Sequence, residues 1–134
     1  MFFRDNNAAH SSPIADCVKQ YHIKSLNVIA HIRKATQGEV NIENTHPFIR
    51  ELWGQNWVFA HNGNLTTKFD LNNSLYQPIG STDSEAAFCY MVSELKTRLK
   101  SSLQKMSYLM RYNKSHILFR QAVRSILSYL MVSG

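Results

Sequence analysis

A chain of 134 residues that is 44% hydrophobic and 18% charged amounts to one ordinary domain, long enough to bury a core and too apolar to be wholly disordered. Two cysteines are too few for a disulfide framework, "MFFRDNN" lacks the basic and apolar pattern of a leader, and no run approaches the roughly 18 apolar residues of a membrane span. The expectation is a reduced, cytoplasmic protein without a membrane span, whose charge is uneven: nine acidic and seven basic residues up to Glu94 net −2, whereas Lys96 onward holds eight basic residues and no acid, +8.

In chain order, "SSPIADCVKQYHIK" places Ser-Pro where a helix would start, with apolar residues at Ile14, Cys17, Val18 and Tyr21, a spacing that predicts a short amphipathic helix. "SLNVIAHIRKAT" alternates and predicts a strand, with Leu26, Val28, Ala30 and Ile32 on one face and Asn27, Ile29, His31 and Arg33 on the other. "NIENTHPFIREL" is broken by Pro47 and polar residues and predicts no regular element. "WGQNWVFAHNG" then resumes extended character, with Trp57, Phe59 and His61 on one face and an end at Asn62-Gly63.

The polar, Asn-rich residues from Leu65 to Ser81 predict a loop. In "GSTDSEAAFCYMVSELKTRLK", Thr82 and Glu85 have capping-box spacing, followed by an apolar stripe of Phe88, Val92, Leu95 and Leu99, which predicts a helix. Beyond it, Leu118, Ala122, Ile126 and Leu130 recur at helical spacing in the basic tail.

Several segments admit a bland reading when taken singly. Asn-Gly is a common two-residue hairpin turn, Arg33 a surface cation at a strand end, and Asp83 a carboxylate favouring a helix N-terminus. His31 and His61 read as packed, hydrogen-bonded side chains, and Cys89 as a small core residue. No His or Cys pair has zinc-ligand spacing, so neither a metal nor a cofactor is assigned.

The ordered set "AHIRKAT", "ENTHPF", "AHNGNL" and "GSTDSEAAF" resembles the class II glutamine amidotransferases, N-terminal-nucleophile enzymes, and in particular their stand-alone bacterial members. The resemblance covers about residues 12–99. It implies an α+β fold, part of a four-layer αββα sandwich, and hydrolysis of glutamine or a related γ-glutamyl amide through a cysteine thioester. It also implies an oxyanion hole from the Asn62 side chain and the Gly63 backbone N–H, Arg33 on the substrate α-carboxylate, Asp83 on its α-ammonium, and Thr36 lining the same pocket. Lys34 and Gln37 stand where other branches carry tryptophan and histidine, which leaves the γ-glutamyl substrate open.

The family nucleophile is a cysteine exposed as the first residue of the mature chain, whereas this sequence begins Met1-Phe2. The expectation is therefore a partial domain over residues 1–100, truncated at its N-terminus and inactive by itself. Residues 101–134 are expected to be a divergent basic tail, helical by its spacing and of the kind a frameshift would produce. Alternative readings are a non-catalytic module that binds glutamine or another γ-glutamyl small molecule, and an interaction protein using its basic tail. Nucleic acid is not an expected partner, and exposed sheet edges would favour self-association.

Overall fold

The computed structural model describes residues 1–26, 28–32 and 40–98, an α+β arrangement of two helices and one hairpin in the order α1 (Pro13–Gln20), β1 (Phe48–Leu52), β2 (Gln55–Phe59) and α2 (Asp83–Arg98). Arg33, Thr36, Lys34 and Gln37 lie outside the described residues, as does everything from Leu99 onward, including the tail. No described helix is long and apolar enough to cross a membrane.

α1 starts where its sequence says it should. Ser12 is the N-cap, its Oγ accepting from the Ala15 N–H at 3.0 Å, and Pro13 occupies the first turn, where its missing N–H costs nothing. The helix nevertheless buries none of its residues.

The expected strand over residues 25–36 is not present among the described residues: 28–32 belong to no strand, and Leu26, Val28 and Ile32 are exposed. Alternation marks which residues would share a face, but a strand exists only when a neighbour takes its backbone hydrogen bonds. Conversely, β1 forms inside the stretch that Pro47 and the polar residues had marked as irregular. Pro47 lies one residue before the strand, where it removes no ladder bond.

β1 and β2 pair antiparallel, with Phe48 opposite Phe59 and Leu52 opposite Gln55. Their two-residue connection is Trp53-Gly54, both at positive φ (57° and 74°), the geometry whose twist suits a tight hairpin. The hairpin turn is therefore not Asn62-Gly63, which lies beyond the end of β2.

α2 packs against β1 and covers one face of the hairpin. Phe48, Leu52 and Phe59 meet Phe88, Met91, Val92 and Leu95, and the Phe59 and Phe88 rings stack at 5.2 Å. Arg50 shares the core-facing side with Phe48 and Leu52, and its guanidinium pairs with Glu85, which is 1% exposed. Glu85 also accepts from the Gly80 N–H at 2.7 Å. Only half of the expected capping box is therefore used as such: Thr82 Oγ1 accepts from the Glu85 N–H, while the Glu85 carboxylate is held by Arg50 and Gly80.

Residues 65–81 are a loop, as their composition predicts, strapped to the core at several points. Ser93 Oγ accepts from the Tyr76 N–H at 3.1 Å, the Tyr76 hydroxyl donates to the Glu51 carbonyl at 2.6 Å, and Arg50 donates to the Gln77 carbonyl at 3.2 Å. Fully buried Asn44 closes its far end, accepting from the Ser81 N–H at 2.8 Å and donating to Ser81 Oγ at 3.2 Å.

Candidate functional site

The end of β2 and the start of α2 face one another, and between them the chain makes the turn His61–Leu65. Asn62 and Gly63 are exposed there. Gly63 has φ of 147°, a conformation that side chains rarely adopt, and a Cβ added to it would lie 3.2 Å from Nε2 and 3.3 Å from Cε1 of His61. Glycine is thus favoured twice, by its backbone angle and by the imidazole beside it, which a Cβ would press aside by a few tenths of an ångström.

Both flanks of this turn are fastened to the first turn of α2. On the far side, Asp83 Oδ2 accepts from the Leu65 N–H at 2.6 Å. On the near side, His61 Nδ1 lies 3.1 Å from Ser84 Oγ, which donates to Asp83 Oδ1 at 3.1 Å. Asp83 Oδ1 also accepts from the Ser84 N–H at 2.6 Å. One carboxylate therefore ties both ends of a five-residue turn.

Partial burial would push the Asp83 carboxyl up, but the hydrogen bonds from Leu65 and Ser84 and the nearby His61 outweigh it and hold the group below its ordinary 3.8. It is ionised at neutral pH. A carboxylate offers about four lone-pair positions, and the three donors here leave Oδ2 with capacity for one more, such as an ammonium group.

A layer of imidazoles supports the turn from beneath. His31 Nε2 lies 3.1 Å from the His61 carbonyl, its ring stacks on His46 at 4.2 Å, and His46 in turn rests on Phe48 of the core. His31 and His61 are packed and hydrogen-bonded, in keeping with their sequence reading.

Of the five expected site residues, Asn62, Gly63 and Asp83 come together around this turn. Arg33 and Thr36 lie outside the described residues. Ser84 escaped the sequence reading although it sits directly after Asp83; a serine at a helix start is common enough as a capping residue to carry no separate signal. Arg50 and Glu85 were missed as a pair because 35 residues separate them. The available hint was a cation on the alternation that also carries Phe48 and Leu52.

Cys89 is fully buried in α2, with Sγ 3.4 Å from the Arg50 guanidinium. Burial pushes its thiol up from the ordinary value, and Arg50 offsets only part of that rise. It has neither the access nor the thiolate character of a nucleophile. Cys17 lies on α1, partly exposed.

The chain is similar to known proteins of one family. The family model for glutamine amidotransferases class-II matches residues 1–129. The chain is 73% identical over 104 residues to the Haemophilus influenzae protein named "Putative glutamine amidotransferase", covering 78% of this chain and 35% of that protein. It is 48% identical over 110 residues to the similarly named YafJ of Escherichia coli, covering 82% of this chain and 43% of that one. A crystal structure of a predicted glutamine amidotransferase from Pseudomonas aeruginosa shares 49% identity at a TM-score of 0.46, over 53% of this chain and 28% of the other. The chain thus spans well under half the length of the curated relatives it matches.

Proposed function

This chain belongs to the class II glutamine amidotransferases, and we propose that it supplies the amide-binding half of such a site, taking glutamine or a related γ-glutamyl compound. In this reading the Asn62 side chain and the Gly63 N–H stabilise the oxyanion formed at the side-chain amide, and Asp83 receives the α-ammonium. Arg33 holds the α-carboxylate and Thr36 lines the pocket. The hairpin on α2 would be a piece of the four-layer αββα sandwich.

The observation that carries this reading is the turn at Asn62-Gly63. It is exposed, it is not the hairpin turn, and it is held from both sides by Asp83 and Ser84. Donors fixed before reaction need no reorganisation when charge develops, and one such donor is typically worth about 3 to 4 kcal/mol in a transition state.

The reaction itself requires a thiolate, which attacks the amide carbon to give a tetrahedral oxyanion and then a γ-glutamyl thioester that water cleaves. Buried Cys89 does not fit that role, and Cys17 lies partly exposed on α1, away from the Asn62-Gly63 turn in the chain. The 134-residue chain is accordingly expected to bind the substrate without hydrolysing it.

Calorimetry with L-glutamine tests the binding. Weak binding by the wild type, lost in Arg33→Ala and Asp83→Ala, is the expected outcome; equal binding by all three proteins overturns the pocket assignment. An ammonia-release assay on the same preparation should stay at the blank. Stoichiometric labelling of either cysteine by an electrophilic glutamine analogue would identify a nucleophile that this reading rejects.

A further inference from the structure

The hydrogen-bonding groups around Asp83 bring His61 and Ser84 into one chain of contacts. Asp83 is ionised and can only accept, so its 3.1 Å contact with Ser84 Oγ is a hydrogen bond when the single Ser84 hydroxyl proton is directed to Oδ1. Ser84 Oγ can then meet His61 Nδ1, at 3.1 Å, only as an acceptor. With the hydroxyl proton so placed, the contact calls for a proton on His61 Nδ1, and Nε2 lies 3.2 Å from the place where a Gly63 Cβ would stand. Ser84 is 3% exposed, so water does not readily replace this link.

We infer that His61 is a positioning residue: through Ser84 it joins the carboxylate that receives the substrate ammonium to the turn that holds the oxyanion, making the two ends of the amide site one hydrogen-bonded unit. The inference rests on the reading of Asn62, Gly63 and Asp83 proposed above. Its content beyond that reading is the coupling. An ammonium arriving at Oδ2 draws on the same carboxylate that anchors Leu65 directly and His61 through Ser84. The turn consequently responds to the amino-acid end of a ligand even when that ligand has no side-chain amide to contact the turn. The imidazole ring beside Gly63, backed by Phe59 and with its carbonyl held by His31, has little freedom to follow any other way.

The test uses nitrogen-15 NMR on the 134-residue chain in two arms. The first needs neither a ligand nor a variant: long-range proton–nitrogen correlation spectra at neutral pH should show His61 as the Nδ1–H tautomer. The Nε2–H form, which prevails for a free imidazole, would overturn the inference. The second arm titrates L-alanine, which carries the α-ammonium and α-carboxylate but no amide.

In the wild type, the Leu65 and Gly63 amide resonances should both shift. Ser84→Ala should retain the Leu65 response and lose that of Gly63, and Ser84→Thr should restore it. An undiminished Gly63 response in Ser84→Ala, or no restoration by Ser84→Thr, would overturn the coupling. If L-alanine moves neither resonance in the wild type, the ammonium site at Asp83 is what fails, and with it the coupling; an Nδ1–H tautomer would then mark a purely structural clamp.

Discussion

α1 and α2 are both helices with a polar start and apolar residues at spacings of three to four, and they end in opposite circumstances. α2 buries Phe88, Met91, Val92 and Leu95 against the hairpin, whereas α1 buries nothing, its own Val18 being 42% exposed. The same contrast holds for charge. Arg50–Glu85 is enclosed and serves three segments at once, while Lys19–Asp16 is an exposed pair one helical turn apart. Amphipathic spacing thus specifies a helix and the face it offers; whether that face stabilises anything depends on what lies opposite.

The comparison can be broken most sharply at the apolar faces. Phe88→Ala removes a ring stacked on Phe59 in the centre of the core and should destabilise the chain by about 3 to 5 kcal/mol in denaturant titration. Val18→Ala should cost under about 0.5 kcal/mol, as an exposed substitution does. Comparable losses from the two would mean that α1 packs on a surface as substantial as the one under α2.

The ion pairs come next. Glu85→Ala leaves the partly buried Arg50 guanidinium without its carboxylate and the Gly80 N–H without its acceptor, and should cost about 3 kcal/mol. Lys19→Ala should be indistinguishable from wild type, within about 0.5 kcal/mol. Adding salt up to 1 M separates them further, since an exposed pair is screened and an enclosed one is not.

Asp83 gives a smaller effect with a pH signature. Its folded value lies below the ordinary 3.8, so its contribution is fully present above that pH and is lost as pH falls through the lower folded value. Asp83→Asn should cost about 1 kcal/mol at pH 7, discounted for partial exposure, and should flatten the stability curve below pH 3.8 relative to wild type. An unchanged acid limb would show that Asp83 does not hold the turn.

The smallest effect belongs to the cap of α1. Ser12→Ala removes a hydrogen bond typically worth about 1 kcal/mol to a helix, but α1 is not packed into the core. The loss should appear as faster amide exchange within Pro13–Gln20 and not as a shift of the global unfolding midpoint. A global shift would join α1 to the cooperative unit.

The residues that could be read from sequence were those whose chemistry is local. Ser12-Pro13 and Thr82 announced helix starts because a cap satisfies backbone donors within three residues of itself. The polar stretch after Leu65 announced a loop for the same local reason. The four ordered motifs, read together, pointed to the family because all four occur in the right order even though each alone is commonplace.

Tertiary structure decided everything that depends on a distant partner. Residues 28–32 alternate as a strand should and do not form one, while β1 arises in a less regular stretch because β2 supplies its ladder through the Trp53-Gly54 turn. Glu85 was placed by its spacing in a capping box, yet Arg50, 35 residues away, took its carboxylate. The site follows the same rule: sequence supplied Asn62, Gly63 and Asp83, but only the folded chain could bring His61 to Ser84 and Leu65 to Asp83. A hydrogen bond across some twenty residues is set by the packing of α2 on the hairpin, and no pattern confined to neighbouring positions encodes that packing.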